Sequence, residues 1–83
     1  MPSADDFRTE LRAQIGRART QGRPHVEINA GELHRIVGEY PGDHRMPVCC
    51  EVMRSEQQQG DEVVYSPEGG DGASLNIRYS LPR

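Results

Sequence analysis

Leu75-Asn76-Ile77-Arg78-Tyr79-Ser80-Leu81 alternates apolar and polar residues without interruption. Successive side chains of a strand point to opposite faces, so this pattern predicts a half-buried β-strand with Leu75, Ile77, Tyr79 and Leu81 turned to a core. Such a strand needs a hydrogen-bonding neighbour and a layer packed on its apolar face. Upstream, Glu62-Val63-Val64-Tyr65 has the β-branched and aromatic content of a second strand. The segment between them, Ser66 to Ala73, holds Pro67, Gly69, Gly70 and Gly72, which predicts a flexible loop joining antiparallel strands. The chain is therefore expected to end in a hairpin.

The layer that covers the hairpin is predicted from the rest of the sequence. Phe7, Leu11, Ile15 and Ala18 recur at helical spacing over 3–21. Ser3 is placed to cap that helix, Asp5 and Asp6 favour its N-terminal dipole, and Gly22 with Pro24 stops it. Val26 and Ile28 alternate with polar neighbours in a short strand that can join the hairpin as a third member. Asn29 and Glu32 have the spacing of a capping box, opening a second helix over about 30–37 that presents Leu33, Ile36 and Val37 and ends at Gly38. Pro41-Gly42 marks a turn. Pro47 suits the first turn of a third helix, with Val48, Cys49, Val52 and Met53 on its apolar face, Glu51, Arg54, Ser55 and Gln58 opposite, and Gly60 as its end.

These elements fit one domain of 83 residues, too short for a second core. With no Trp and a single Phe, the core is aliphatic and thin. No apolar run is long enough for a membrane span, and residues 1–10 lack the apolar stretch of a signal peptide. The adjacent pair Cys49-Cys50 has no distant cysteine to bridge. A reducing cytoplasm with free thiols is the expected setting, with no membrane partner. Thirteen acids against ten arginines, and no lysine, give a net charge of −3. The bases are concentrated before residue 25, which leaves room for a local basic stripe on an otherwise acidic chain.

The order helix, strand, helix, helix, strand, strand resembles the winged helix-turn-helix family over roughly Ser3 to Leu81. The run His34-Arg35-Ile36-Val37-Gly38-Glu39-Tyr40-Pro41, through His44-Arg45-Met46-Pro47 to Cys49-Cys50, is also similar to small stand-alone bacterial proteins of unassigned activity. The fold class implied is α+β, a winged helix-turn-helix with three helices and a small antiparallel sheet. The resemblance implies that the third helix enters the major groove of double-stranded DNA and that the hairpin loop is a wing touching the backbone. It also implies a regulator binding two half-sites as a homodimer.

The residues assigned to that interface are Arg8, Arg12 and Arg19, which lie within about 40° on the first helix, His44 and Arg45 before the third helix, and Arg54, Ser55 and Gln58 on it. The same residues have a plainer reading, as a solvated face whose arginines pair with neighbouring acids such as Asp5. Glu51 on the third helix and Glu68 and Asp71 in the wing oppose phosphate. They point to the alternative of a non-catalytic protein–protein adaptor on the same scaffold. His34, His44, Cys49 and Cys50 are the residue types of a zinc site. Adjacent helical cysteines diverge by about 100°, however, so no metal or other cofactor is expected. Cys50, at the edge of the apolar face, is the more reactive thiol of the two. No nucleophile–base–orienter set accompanies either thiol, and the Gly-rich loop joins two strands instead of opening a helix, so no enzyme is expected.

Overall fold

The structure, a computed structural model, describes residues 3–38 and 45–82. The elements are α1 (Ala4–Thr20), β1 (His25–Asn29), α2 (Ala30–Val37), α3 (Met46–Ser55), β2 (Glu62–Tyr65) and β3 (Asn76–Ser80). Three helices cover one face of a three-stranded antiparallel sheet of order β1-β3-β2. β3 is central: Val26 lies opposite Tyr79 and Ile28 opposite Ile77 on one side, and Val63 opposite Ile77 on the other. The alternation that predicted the strand is its burial pattern, with Leu75, Ile77 and Tyr79 fully buried.

Local chemistry sets most of the boundaries. The Ser3 hydroxyl accepts from the Asp6 N–H and the Asp6 carboxylate accepts from the Ser3 N–H, a complete capping box that satisfies two otherwise orphaned donors. Asn29 Oδ1 accepts from the Glu32 N–H at 3.0 Å. The Glu32 carboxylate is engaged by Arg35 one turn on. Pro47 occupies the first turn of α3, where its missing N–H costs no helical bond. The proposed turn at Pro41-Gly42 lies outside the described residues.

The helices meet the sheet through Phe7, Leu11, Ile15 and Ala18 of α1, Ala30 and Leu33 of α2, and Met46, Cys49, Cys50, Val52 and Met53 of α3, all buried. Burying each large side chain contributes roughly 1.5–3 kcal/mol. Tyr79 joins the layers directly, donating its hydroxyl to the Met53 carbonyl at 2.8 Å.

Three expectations are corrected. α3 stops at Ser55, short of Gly60: Gln57, Gln58 and Gln59 offer no apolar group to bury, and Asp61 takes up the Gln58 N–H at 2.8 Å. On α2, Ile36 is 56% exposed while His34 is fully buried, its Nε2 accepting the Arg45 N–H at 3.0 Å and its ring meeting Phe7 edge-on at 5.0 Å. The loop expected to be flexible is tied down. Arg54 donates to Asp71 Oδ1 at 2.6 Å and to the Gly70 carbonyl, and the Gly31 N–H donates to Ala73 O at 3.0 Å. Gly31 itself lies where a side chain would meet Ala73, with an added Cβ 3.0 Å from the Ala73 Cβ.

Candidate functional site

α1 and α3 pack side by side, and their exposed edges carry most of the residues assigned to an interface. Between the first turns of α1 and the length of α3, Ser3, Arg8, Arg45, Glu51 and Ser55 line an open cleft of about 290 Å³. Farther along α1, Arg12, Arg19, Glu56 and Gln58 line a second of about 300 Å³. Arg8, Arg45 and Ser55 are thus brought together, and so are Arg12, Arg19 and Gln58. Arg54 joins neither group, because it faces the hairpin loop. Gln58 lies beyond α3, not on it. His44 lies outside the described residues.

Glu56 organises the first two groups. As the C-cap of α3, its carboxylate takes Arg12 through two hydrogen bonds of 2.8 and 3.2 Å and lies 3.6 Å from Arg8 Nε. Arg8 also holds Asp5 at 2.6 Å. The bidentate bond and then the charge of Glu56 raise the Arg12 pKa, so this guanidinium stays charged. Across the chain, Arg8, Arg12, Arg17, Arg35, Arg54 and Arg78 each pair with a carboxylate of the same molecule. Of the expected stripe, Arg8 and Arg12 are met by Asp5 and Glu56.

Arg45 differs from these. Its backbone forms the N-cap of α3 without a side-chain cap, and its buried Nε has no hydrogen-bond partner among the described residues. Ser55 Oγ turns inward to the Val52 carbonyl at 3.0 Å. Glu51 and Glu68 are exposed.

The thiols are packing groups. Cys49 donates to the Ala30 carbonyl and Cys50 to the Gly72 carbonyl, each at 3.6 Å. Desolvation, and then the neighbouring Cys50, push the Cys49 pKa up to about 12. Desolvation also raises Cys50, with Asp71 adding to the rise and the Gly72 contact and Arg54 opposing it. Cys50 is fully buried, which corrects its placement as the reactive thiol: the loop covers the edge of α3 on which it lies. Among the described residues no group of three His, Cys, Asp or Glu side chains could hold a metal ion, and no helix is long and apolar enough to cross a membrane.

Sequence reasoning missed Glu56, buried His34 and the Arg54–Asp71 pair. An excess of acids over arginines was the available signal for the pairing, but it does not say which acid meets which base. The architecture defines an α+β domain of three helices on a small antiparallel sheet. Comparison with protein-family models, curated proteins and solved structures finds no match to this chain.

Proposed function

We infer that the chain is a non-catalytic protein-interaction module built on a winged-helix-like scaffold and working in a reducing compartment such as the cytoplasm. One observation carries this reading: three of the five arginines assigned to phosphate contact are engaged by the molecule's own acids, Arg8 by Asp5, Arg12 by Glu56 and Arg54 by Asp71. To bind a duplex, phosphate must compete with those carboxylates for the same guanidinium groups, which lowers the net electrostatic gain of the contact. The acids Glu51 and Glu68 are exposed, and they suit a partner with a basic surface. Two buried free thiols are consistent with a reducing setting.

Capture of a partner by the tagged chain, identified by mass spectrometry, tests the reading. Glu51→Arg with Glu68→Arg is expected to abolish the capture while leaving the fold intact, because both side chains are exposed. A partner retained at full yield by this double variant overturns the assignment of these two acids.

The second reading, a winged-helix regulator binding double-stranded DNA, is favoured by the element order and by Arg45, which stands at the start of α3 beside the cleft shared with Arg8. Fluorescence anisotropy with mixed duplexes at low salt separates the two. The interaction-module reading expects no binding up to tens of micromolar, whereas a duplex binder shows non-specific affinity of roughly 10⁻⁴ to 10⁻⁶ M even at physiological salt.

A further inference from the structure

Among the described residues β2 is an open edge of the sheet, paired only with β3. All four of its residues are exposed, with Val63, Val64 and Tyr65 at 41%, 42% and 54%. Val63 lies opposite fully buried Ile77 yet remains open, so the helical layer stops short of this strand. Unpaired N–H and C=O groups along such an edge are a template for another strand.

The irregularity in β2 decides which strand fits. Glu62 lies opposite Arg78 and Tyr65 opposite Asn76, with a register shift between Val63 and Tyr65. Arg78 and Asn76 are two apart on β3 and point away from the helices, since Ile77 and Tyr79 are buried. Glu62 and Tyr65 therefore share the outer face although they are three residues apart, which an unbulged strand forbids. Residues that pair across an antiparallel two-fold axis must also share a face. The bulge therefore lets Glu62 of one copy lie opposite Tyr65 of another, provided that Val64, its extra residue, turns to the face of Val63.

We propose that the β2 edge is a homodimer interface, in which two copies pair antiparallel about a two-fold axis that lies between the two strands, beside the Val63–Val64 peptide of each, and form a continuous six-stranded sheet. Val63 of each copy then meets Val64 of the other, and Glu62 meets Tyr65, every contact occurring twice by symmetry. Arg78 already neutralises Glu62 through Oε1 at 2.7 Å, leaving Oε2 to accept the other copy's phenol. The two Glu62 carboxylates fall at opposite ends of the pairing, away from each other. The β1 edge presents exposed His25 and Glu27 in place of apolar side chains, so association closes at two copies. A four-residue pairing covers less than the roughly 1,200–2,000 Å² of a stable interface, which places this dimer in the weak, reversible class. The pairing goes beyond the partner-binding reading and is independent of it.

Sedimentation velocity over about 10 µM to about 1 mM tests it, a range that brackets weak association. The expected result is a monomer–dimer equilibrium within this range. Val64→Lys should weaken it at least tenfold by placing two ammonium groups at the axis, and Tyr65→Phe roughly fivefold through loss of the hydroxyl contact. Val64 has no register partner in β3, and unchanged core amide resonances in Val64→Lys confirm that the monomer is folded. A wild-type chain that stays monomeric throughout, a dimer indifferent to Val64→Lys, or growth beyond two copies overturns the proposal. None of these outcomes bears on Glu51 and Glu68, whose partner is tested separately.

Discussion

β2 and β3 are neighbours in one hairpin and are built from similar residue types, yet one is surface and the other is core. β3 alternates strictly, runs through the middle of the sheet and buries Ile77 and Tyr79 completely. β2 is apolar at three of four positions and exposed at all of them. The difference lies in what each strand touches. β3 has a strand on either side and helices over its inner face, whereas β2 has one neighbour and overhangs the helical layer. Apolar content marked both as strands; position alone decides which of them holds the fold together and which is left available to another molecule.

Truncating one side chain from each strand should break the symmetry of the hairpin most clearly. Ile77→Ala removes a fully buried group flanked by Ile28 and Val63 and is expected to cost about 2–5 kcal/mol in urea denaturation. Val63→Ala, directly across the ladder and 41% exposed, should cost less than about 1 kcal/mol. Equal losses would mean that β2 is covered in solution even in the monomer.

The second contrast is between the buried thiols and the arginine surface. Both cysteines are held protonated in the folded chain, Cys49 with a pKa of about 12 against an ordinary 9.0. A raised folded-state pKa leaves stability untouched below the unfolded value and removes it above, because only the unfolded chain then releases the protons. For Cys49, stability should therefore fall between about pH 9 and pH 12, by up to roughly 1.4 kcal/mol per pH unit, with Cys50 adding to the fall in the same direction. Denaturant midpoints measured from pH 7 to pH 10.5 check this, with the fall reduced in Cys49→Ala. A flat profile would mean that the thiols reach solvent in the native state.

Tyr79→Phe sharpens the account of β3 further. It keeps the ring and deletes only the hydroxyl that reaches the Met53 carbonyl. Losing a buried donor should cost about 1–2 kcal/mol, read from the same denaturation curves. A neutral effect would show that water takes the vacated place.

The parts of this molecule that were legible in its sequence are those fixed by near neighbours. Ser3, Asn29 and Pro47 announce helix starts because their partners lie within one turn, and the β3 pattern is a property of seven consecutive residues. The parts that were not legible depend on partners far along the chain. Glu56 meets Arg12 across 44 positions and Arg54 meets Asp71 across 17. Periodicity put Cys50 at the rim of its helix correctly, but could not show that the Gly72 segment folds over it. The same limit explains the candidate site. Arg8 and Arg12 do share a face, as helical spacing requires, while Glu56, outside that helix, takes Arg12 and approaches Arg8. Ile36 and His34 exchanged places for a related reason. A buried histidine is acceptable once the Arg45 N–H satisfies its Nε2, and no local pattern announces that bond.

The smallest expected effect concerns the loop between the two strands, and it asks whether the β2 side of the hairpin is held as a unit. Asp71 and Arg54 are both partly exposed, with side chains 42% and 36% accessible. Water screens such a pair, and breaking it with Asp71→Asn should cost only about 0.2–1 kcal/mol globally. The local consequence should be larger than the global one, because Arg54 is also what brings the Gly70 carbonyl down onto α3. Once the loop lifts, Cys50 loses the Gly72 carbonyl that covers its thiol. Alkylation of Cys50 by iodoacetamide, followed by peptide mass spectrometry, should then accelerate several-fold in Asp71→Asn while Cys49, bonded to Ala30 beneath α2, reacts as slowly as before. If both cysteines speed up together, the loop does not open on its own, and the hairpin and helices unfold as one cooperative body.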